Sequence, residues 1–213
     1  MKKLLLTLVA SLLCLTGARA EEPATLVATL SSGGNLTPYY GKDALKDAYN
    51  DAKEGDIITL SSGTFTSVAM NKNITIRCVG AWPDASTDNV LTCIDGTANY
   101  NLKDNDFELK VEGVRFLCRV VVESSLNVTK QCTFSKVYFS TQSYDYSLSI
   151  PEKVYAKLDN CVTVGHLSIY GGTCTNCVLS GVDSRRPNQG STPVTLQNCV
   201  IRDWKNYQSN YNN

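Results

Sequence analysis

The sequence predicts an all-β chain wound as a single-stranded parallel β-helix solenoid, with one short α-helix capping its N-terminal end. Three observations predict it. A six-position pattern recurs about every 20 residues through the second half of the chain. Valine, isoleucine, threonine, asparagine and serine are abundant and helix-forming runs are scarce, which suits strands and tight bends. One amphipathic stripe at helical spacing stands ahead of the repeats.

The chain opens MKKLLLTLVASLLCLTGARAEE. Lys2 and Lys3, the apolar run Leu4 to Leu15, and the small-x-small site Ala18-Arg19-Ala20 make residues 1–20 a signal peptide cleaved near Ala20. Cys14 follows a bulky Leu13, whereas a lipid-modified cysteine follows a small residue. No later apolar run reaches the ~18 residues that cross a bilayer. The expectation is an exported protein, secreted, periplasmic or on the cell surface, with no membrane span. Twenty basic and twenty acidic residues cancel, so no basic field for nucleic acid exists. Residues 21–40 are expected to be an extended segment, and 41–213 one β-helix domain.

Within that domain, Ala44, Leu45, Ala48, Tyr49 and Ala52 form one apolar stripe. Lys42 or Asp43 begins this helix and Gly55 ends it. Laid across the first coil, it covers an unpaired edge and an open core. Strands are expected at Asp56–Leu60, in NITIRCVG (73–80, with Ile74, Ile76 and Cys78 on one face), in NVLTCIDG (89–96) and in DFELKVEG (106–113).

The repeats align on five segments: VEGVRF (111–116), TKQCTF (129–134), LDNCVT (158–163), CTNCVL (174–179) and LQNCVI (196–201). Position one holds Val111, Thr129, Leu158, Cys174 and Leu196; position four holds Val114, Cys132, Cys161, Cys177 and Cys199. Position three (Gly113, Gln131, Asn160, Asn176, Asn198) must turn the chain, and Gly and Asn tolerate the left-handed backbone needed there. Asn160, Asn176 and Asn198 are expected to form a hydrogen-bonded ladder. Positions four and six share the inner face. Cys174 and Cys177 therefore fill a narrow core as small hydrophobes. A disulfide or a metal site is the alternative that their spacing leaves open.

The helix, then GDIITLSSGTF, ITIRCVG and repeated NCVI units resemble the pectin-lyase-like, right-handed parallel β-helix superfamily. Exported β-helix proteins of Gram-negative, polysaccharide-using bacteria are similar in the same order. The resemblance runs from about Tyr39 to Trp204 and implies fold more than activity, because this fold hosts lyases, hydrolases, esterases, tailspikes and adhesins. VGHLSIYGG (164–172) resembles the Gly-His segment of the galacturonan hydrolases, but their paired aspartates and Arg-x-Lys are missing here. Hydrolysis needs two carboxyl groups, one donating a proton and one activating water. Lyases of the superfamily use calcium, which takes six or more oxygen ligands. The candidate carboxylates Asp145, Asp159, Asp183 and Asp203 are scattered.

The weak catalytic candidates are His166, Asp183, Arg185 and Arg186, the last three in the polar loop DSRRPNQG (183–190) with Asn188. Tyr144, Tyr146 and Tyr170, together with Arg185 and Arg186, are candidate ligand-binding residues, because outward rings stack on sugars and arginines pair with acidic groups. Tyr138, Phe139, Tyr155 and Trp204 belong to the same aromatic group. The favoured expectation is a non-catalytic, adhesin-like scaffold binding a glycan or cell-surface partner, with no cofactor. A polysaccharide lyase or hydrolase acting on acidic polysaccharide is the alternative, and calcium enters only with the lyase. A structural subunit of a surface assembly is the third reading. Nothing after Trp204 reads as a cap, so the coil is expected to continue in a longer protein or against another subunit.

Overall fold

In the computed structural model, which describes residues 25–82, 91–102, 108–124, 130–141, 146–151, 154–184 and 194–205, the chain is mostly strand with one helix. The expected signal peptide lies outside the described residues. In chain order the elements begin with β1 (Val27–Ser32), β2 (Asn35–Tyr40), α1 (Ala44–Asp51), β3 (Ile57–Leu60), β4 (Gly63–Thr66), β5 (Thr75–Cys78), β6 (Thr92–Asp95) and β7 (Ala98–Leu102). They continue with β8 (Glu108–Glu112), β9 (Arg115–Phe116), β10 (Val120–Ser124), β11 (Lys130–Ser135), β12 (Tyr138–Phe139), β13 (Tyr146–Ser149) and β14 (Val154–Asp159). The last are β15 (Val162–Ser168), β16 (Gly172–Thr175), β17 (Val178–Asp183), β18 (Val194–Gln197), β19 (Val200–Ile201) and β20 (Trp204–Lys205).

Two sheets result. The first has the order β18-β16-β14-β11-β8-β5-β3-β1-β2. The second has two arms, β4-β6-β9-β12 and β7-β10-β13, which meet at the long strand β15; β17 pairs beside β15 and carries β19 and β20. Every pairing is parallel except β1 with β2 and β1 with β3. Within 21–40, expected only to be extended, β1 and β2 form an antiparallel hairpin turning at Gly33-Gly34, and it supplies one edge of the first sheet.

Register stacks like on like. One inward column of the first sheet runs Leu30, Ile58, Ile76, Val111, Phe134, Leu158, Cys174 and Leu196. The second sheet opposes it with Phe65, Ile94, Phe116, Phe139, Thr163, Leu179 and Ile201. Phe116 stacks on Phe139 at 5.6 Å, and Phe134 crosses from the other sheet to meet Phe139 edge-on at 5.4 Å. The core lies between the sheets. Its backbones approach closely: a β-carbon at Gly172 (φ +135°) would run into the carbonyl oxygen of Ala156.

The helix buries Ala44, Leu45, Ala48 and Tyr49 against β1, β3 and β4, the starts of both sheets. Asp43 is its N-cap, as expected, but it ends at Ala52 rather than Gly55. The reason is Lys72, whose Nζ donates to the carbonyls of Tyr49, Asn50 and Ala52 at 2.7, 3.0 and 2.7 Å. A cation thus satisfies the final carbonyls, work otherwise done by a glycine cap. The Tyr49 hydroxyl in turn accepts from the Asn71 and Lys72 amides and donates to Asn71 Oδ1.

The repeat alignment needs one correction. Chain turns from the first sheet to the second occur at Gly113, Lys136, Asn160, Asn176 and Asn198, all with positive φ between 51° and 72°. Lys136, not Gln131, is the turning residue of the second segment. The segment that matches VEGVRF is therefore FSKVYF (134–139), and the position-four column reads Val114, Val137, Cys161, Cys177, Cys199, with steps of 23, 24, 16 and 22 residues. Cys132 leaves that column: it is buried on β11, paired with Leu109 and Ala156, in the first sheet. Thr129 lies outside the described residues. The misalignment followed the cysteine, whereas the backbone follows the bend. A lysine in this conformation costs about 1 kcal/mol or more against glycine. The asparagine ladder has one rung, Asn198 Nδ2 to Asn176 Oδ1 at 3.4 Å; Asn160 instead bonds the Asp159 carboxylate at 3.0 Å, the stronger charge-assisted acceptor.

The thiols have a repeated task. Cys161, Cys177 and Cys199 donate to the carbonyls of Phe134, Leu158 and Cys174, the position-one residues of the preceding turn, at 3.3, 3.6 and 3.2 Å. All eight described cysteines are free. Cys132, Cys161, Cys174 and Cys177 are buried, while Cys199 is half-buried. Burial pushes the Cys132 thiol up to about 12 and Cys161 well up. A thiol raised in the folded state keeps its proton past the unfolded pKa near ~8.5, so its stabilisation is full below that pH and is lost as pH rises toward the folded value. Urea unfolding is expected to show stability falling by about 2 kcal/mol for the Cys132 thiol between about pH 8 and about pH 10. Cys132→Val should remove that much of the pH dependence.

Candidate functional site

Three of the candidate residues converge on the outer face of the second sheet. His166 on β15 is flanked in register by Tyr146 on β13 and Gly181 on β17. Alternation sends Leu167 inward and His166 outward. A β-carbon at Gly181 would sit 3.0 Å from the imidazole Nδ1 and Cε1, so the missing side chain gives the ring its bed. Tyr146 meets the imidazole edge-on, with ring centroids 6.3 Å apart. Its hydroxyl reaches across β15 and donates to Asp183 Oδ2 at 2.6 Å.

Asp183 departs from its expected place. It is the last residue of β17 and is buried, not the start of a solvated loop. One carboxylate oxygen is engaged by Tyr146, so Asp183 orients that ring. Tyr170 stands apart from the trio, half-buried in the turn from β15 to β16. Tyr144, Asp145, Arg185, Arg186 and Asn188 lie outside the described residues. Asp159 and Asp203 fall at two separate bends. Among the described residues no group of three or more His, Cys, Asp or Glu could hold a metal ion, and no helix is long and apolar enough to cross a membrane.

A second cluster was not singled out in the sequence. Arg115 and Tyr138 are neighbours in register on β9 and β12. The Arg115 guanidinium lies over the Tyr138 ring at 4.8 Å, and its Nε is buried without a hydrogen-bond partner, so the cation is held by the ring face. Trp82 packs edge-on against Tyr138 at 5.3 Å and remains 40% exposed. Trp82 also walls a cleft of about 490 Å³ whose other lining includes Cys78, Glu112, Gly113 and Lys136. Arg77 Nε pairs with Glu112 Oε2 at 3.4 Å, and Lys136 Nζ is 4.0 Å from Glu112 Oε1. An aromatic wall beside mixed charge offers a ligand both a stacking face and polar partners.

The signal for this cluster was present. EGVRF (112–116) and SKVYF (135–139) match at valine and phenylalanine, and that alignment alone puts Arg115 beside Tyr138. Trp82 carried no such signal, because its contact with Tyr138 spans 56 residues outside any repeat. Tyr146→Phe is expected to destabilise the protein by about 1–3 kcal/mol in urea unfolding, since it removes a short hydrogen bond to a buried carboxylate. A scan against protein-family models finds no match, and searches of curated proteins and of solved structures find none either.

Proposed function

We propose that this chain is an exported, non-catalytic scaffold that binds a glycan, built as a right-handed parallel β-helix of the pectin-lyase-like kind. Support for the coil comes from the chain-order stacking of parallel strands in both sheets, the continuous inward columns and the recurring left-handed bend. Support for export remains the reading of residues 1–20. The observation that carries glycan binding is the Trp82–Tyr138–Arg115 stack beside an open cleft. Rings held by neighbours lose little freedom when a sugar lands on them.

One observation favours a second reading, a polysaccharide lyase or hydrolase: Tyr146, His166 and Asp183 meet at one place. Two experiments separate the readings. On an array of oligosaccharides the wild-type protein is expected to bind a defined subset, and Trp82→Ala to weaken that binding roughly tenfold or more. Incubation with pectin, alginate and glycosaminoglycans, with and without calcium, is expected to leave the polymers intact. Product release that disappears in His166→Ala would instead establish the enzyme.

A further inference from the structure

Among the described bends, Lys136 is the one left-handed residue that is neither glycine nor asparagine. Its conformation is unfavourable for lysine, so something other than the turn accounts for the side chain. The ion pair with Glu112 does not account for it. The separation is 4.0 Å, the Lys136 side chain is 61% exposed, and exposed pairs at that distance contribute next to nothing. What Lys136 does contribute is an ammonium on the rim of the cleft that Trp82 walls. Among the described residues Lys136 is the one cation in the cleft's lining; Arg77 and Arg115 lie outside it, Arg77 against Glu112 and Arg115 over the Tyr138 ring.

We infer that the cleft between Trp82 and Lys136 binds a sugar ring bearing a sulfate or phosphate monoester, with Lys136 selecting the ester. The inference rests on the glycan-binding reading and narrows its ligand class. A lone ammonium is a compact point charge with rotatable donors, which suits a tetrahedral oxyanion. A planar carboxylate is better matched by an arginine fork, and among the described residues no arginine lines the cleft. The indole supplies the stacking face for the ring that carries the ester.

The test uses the full chain, titrated with a sulfated oligosaccharide, a phosphorylated one and their unsubstituted parent. Wild type is expected to bind at least one ester at least tenfold more tightly than the parent, and more weakly as salt rises. The sulfate and phosphate arms show which ester is preferred. Lys136→Asn, which restores the residue found at three neighbouring bends, is expected to raise Tm by about 2–4 °C while losing the preference for the ester. Opposite signs in stability and binding are not what a structural lysine would produce. Equal binding of ester and parent, retention of the preference in Lys136→Asn, or a fall in its Tm would overturn the inference. Equal binding of ester and parent that is lost in Trp82→Ala would overturn it while leaving glycan binding intact. Failure to bind any of the three sugars overturns the ester site, and silence across the wider array would also remove the reading beneath it.

Discussion

The bend between the two sheets is the constraint on which the rest depends. At Gly113, Lys136, Asn160, Asn176 and Asn198 the backbone turns through the left-handed region, and each turn is tied to the next by a backbone bond. The amides of Gly113, Lys136, Asn160 and Asn176 donate to Ser135, Asp159, Thr175 and Gln197 at 2.9–3.0 Å. Because these bends align, the strands leaving them align, and the residues one and three positions beyond each bend fall on the inner face. Gly113 shows how tight the alignment is: a β-carbon there would stand 2.7 Å from the Cys78 carbonyl oxygen. The bend therefore sets the register, and the register sets both the apolar columns and the outward residues.

Outward positions inherit this order. Arg115, Tyr138, Val162, Val178 and Val200 follow one another on the outer face of the second sheet because the positions behind them are locked inward. The aromatic-cation stack occupies one end of that row. At the other, Val178 and Val200 are 50% and 66% exposed. The His166 cluster arises similarly on the second arm, where one extra residue in β15 between Thr163 and His166 shifts the pairing and places the imidazole over Gly181.

Much of the fold could be read in advance because its rules are local. The helical stripe, the strands around Ile58, Ile76, Leu109 and Leu158, and four of the five bends follow from alternation and from the tolerance of glycine and asparagine for positive φ. The second segment departs from the expected alignment because its cysteine lies within β11 rather than beside the bend, and Lys136 carries no compositional sign of a left-handed bend. The helix terminus was misjudged because Lys72 lies 20 residues from the carbonyl of Ala52 that it caps. The site was legible only where candidates shared a repeat. Tyr146, His166 and Asp183 were named separately, but their meeting depends on three strands and a bulge. Trp82 depends on a contact between segments with no common pattern.

The stacked thiols have a consequence for how such a chain survives synthesis. Eight cysteines admit roughly a hundred sets of partners, nearly all of them dead ends. Exchange between them requires an exposed thiolate. Here Cys132, Cys161 and Cys174 are buried, and burial holds the proton on each thiol. Docking of the strands that carry them withdraws these three sulfurs from scrambling, while Cys177, whose thiol is lowered to about 7 by its hydrogen bond with Cys161, stays the more thiolate-prone member of the stack.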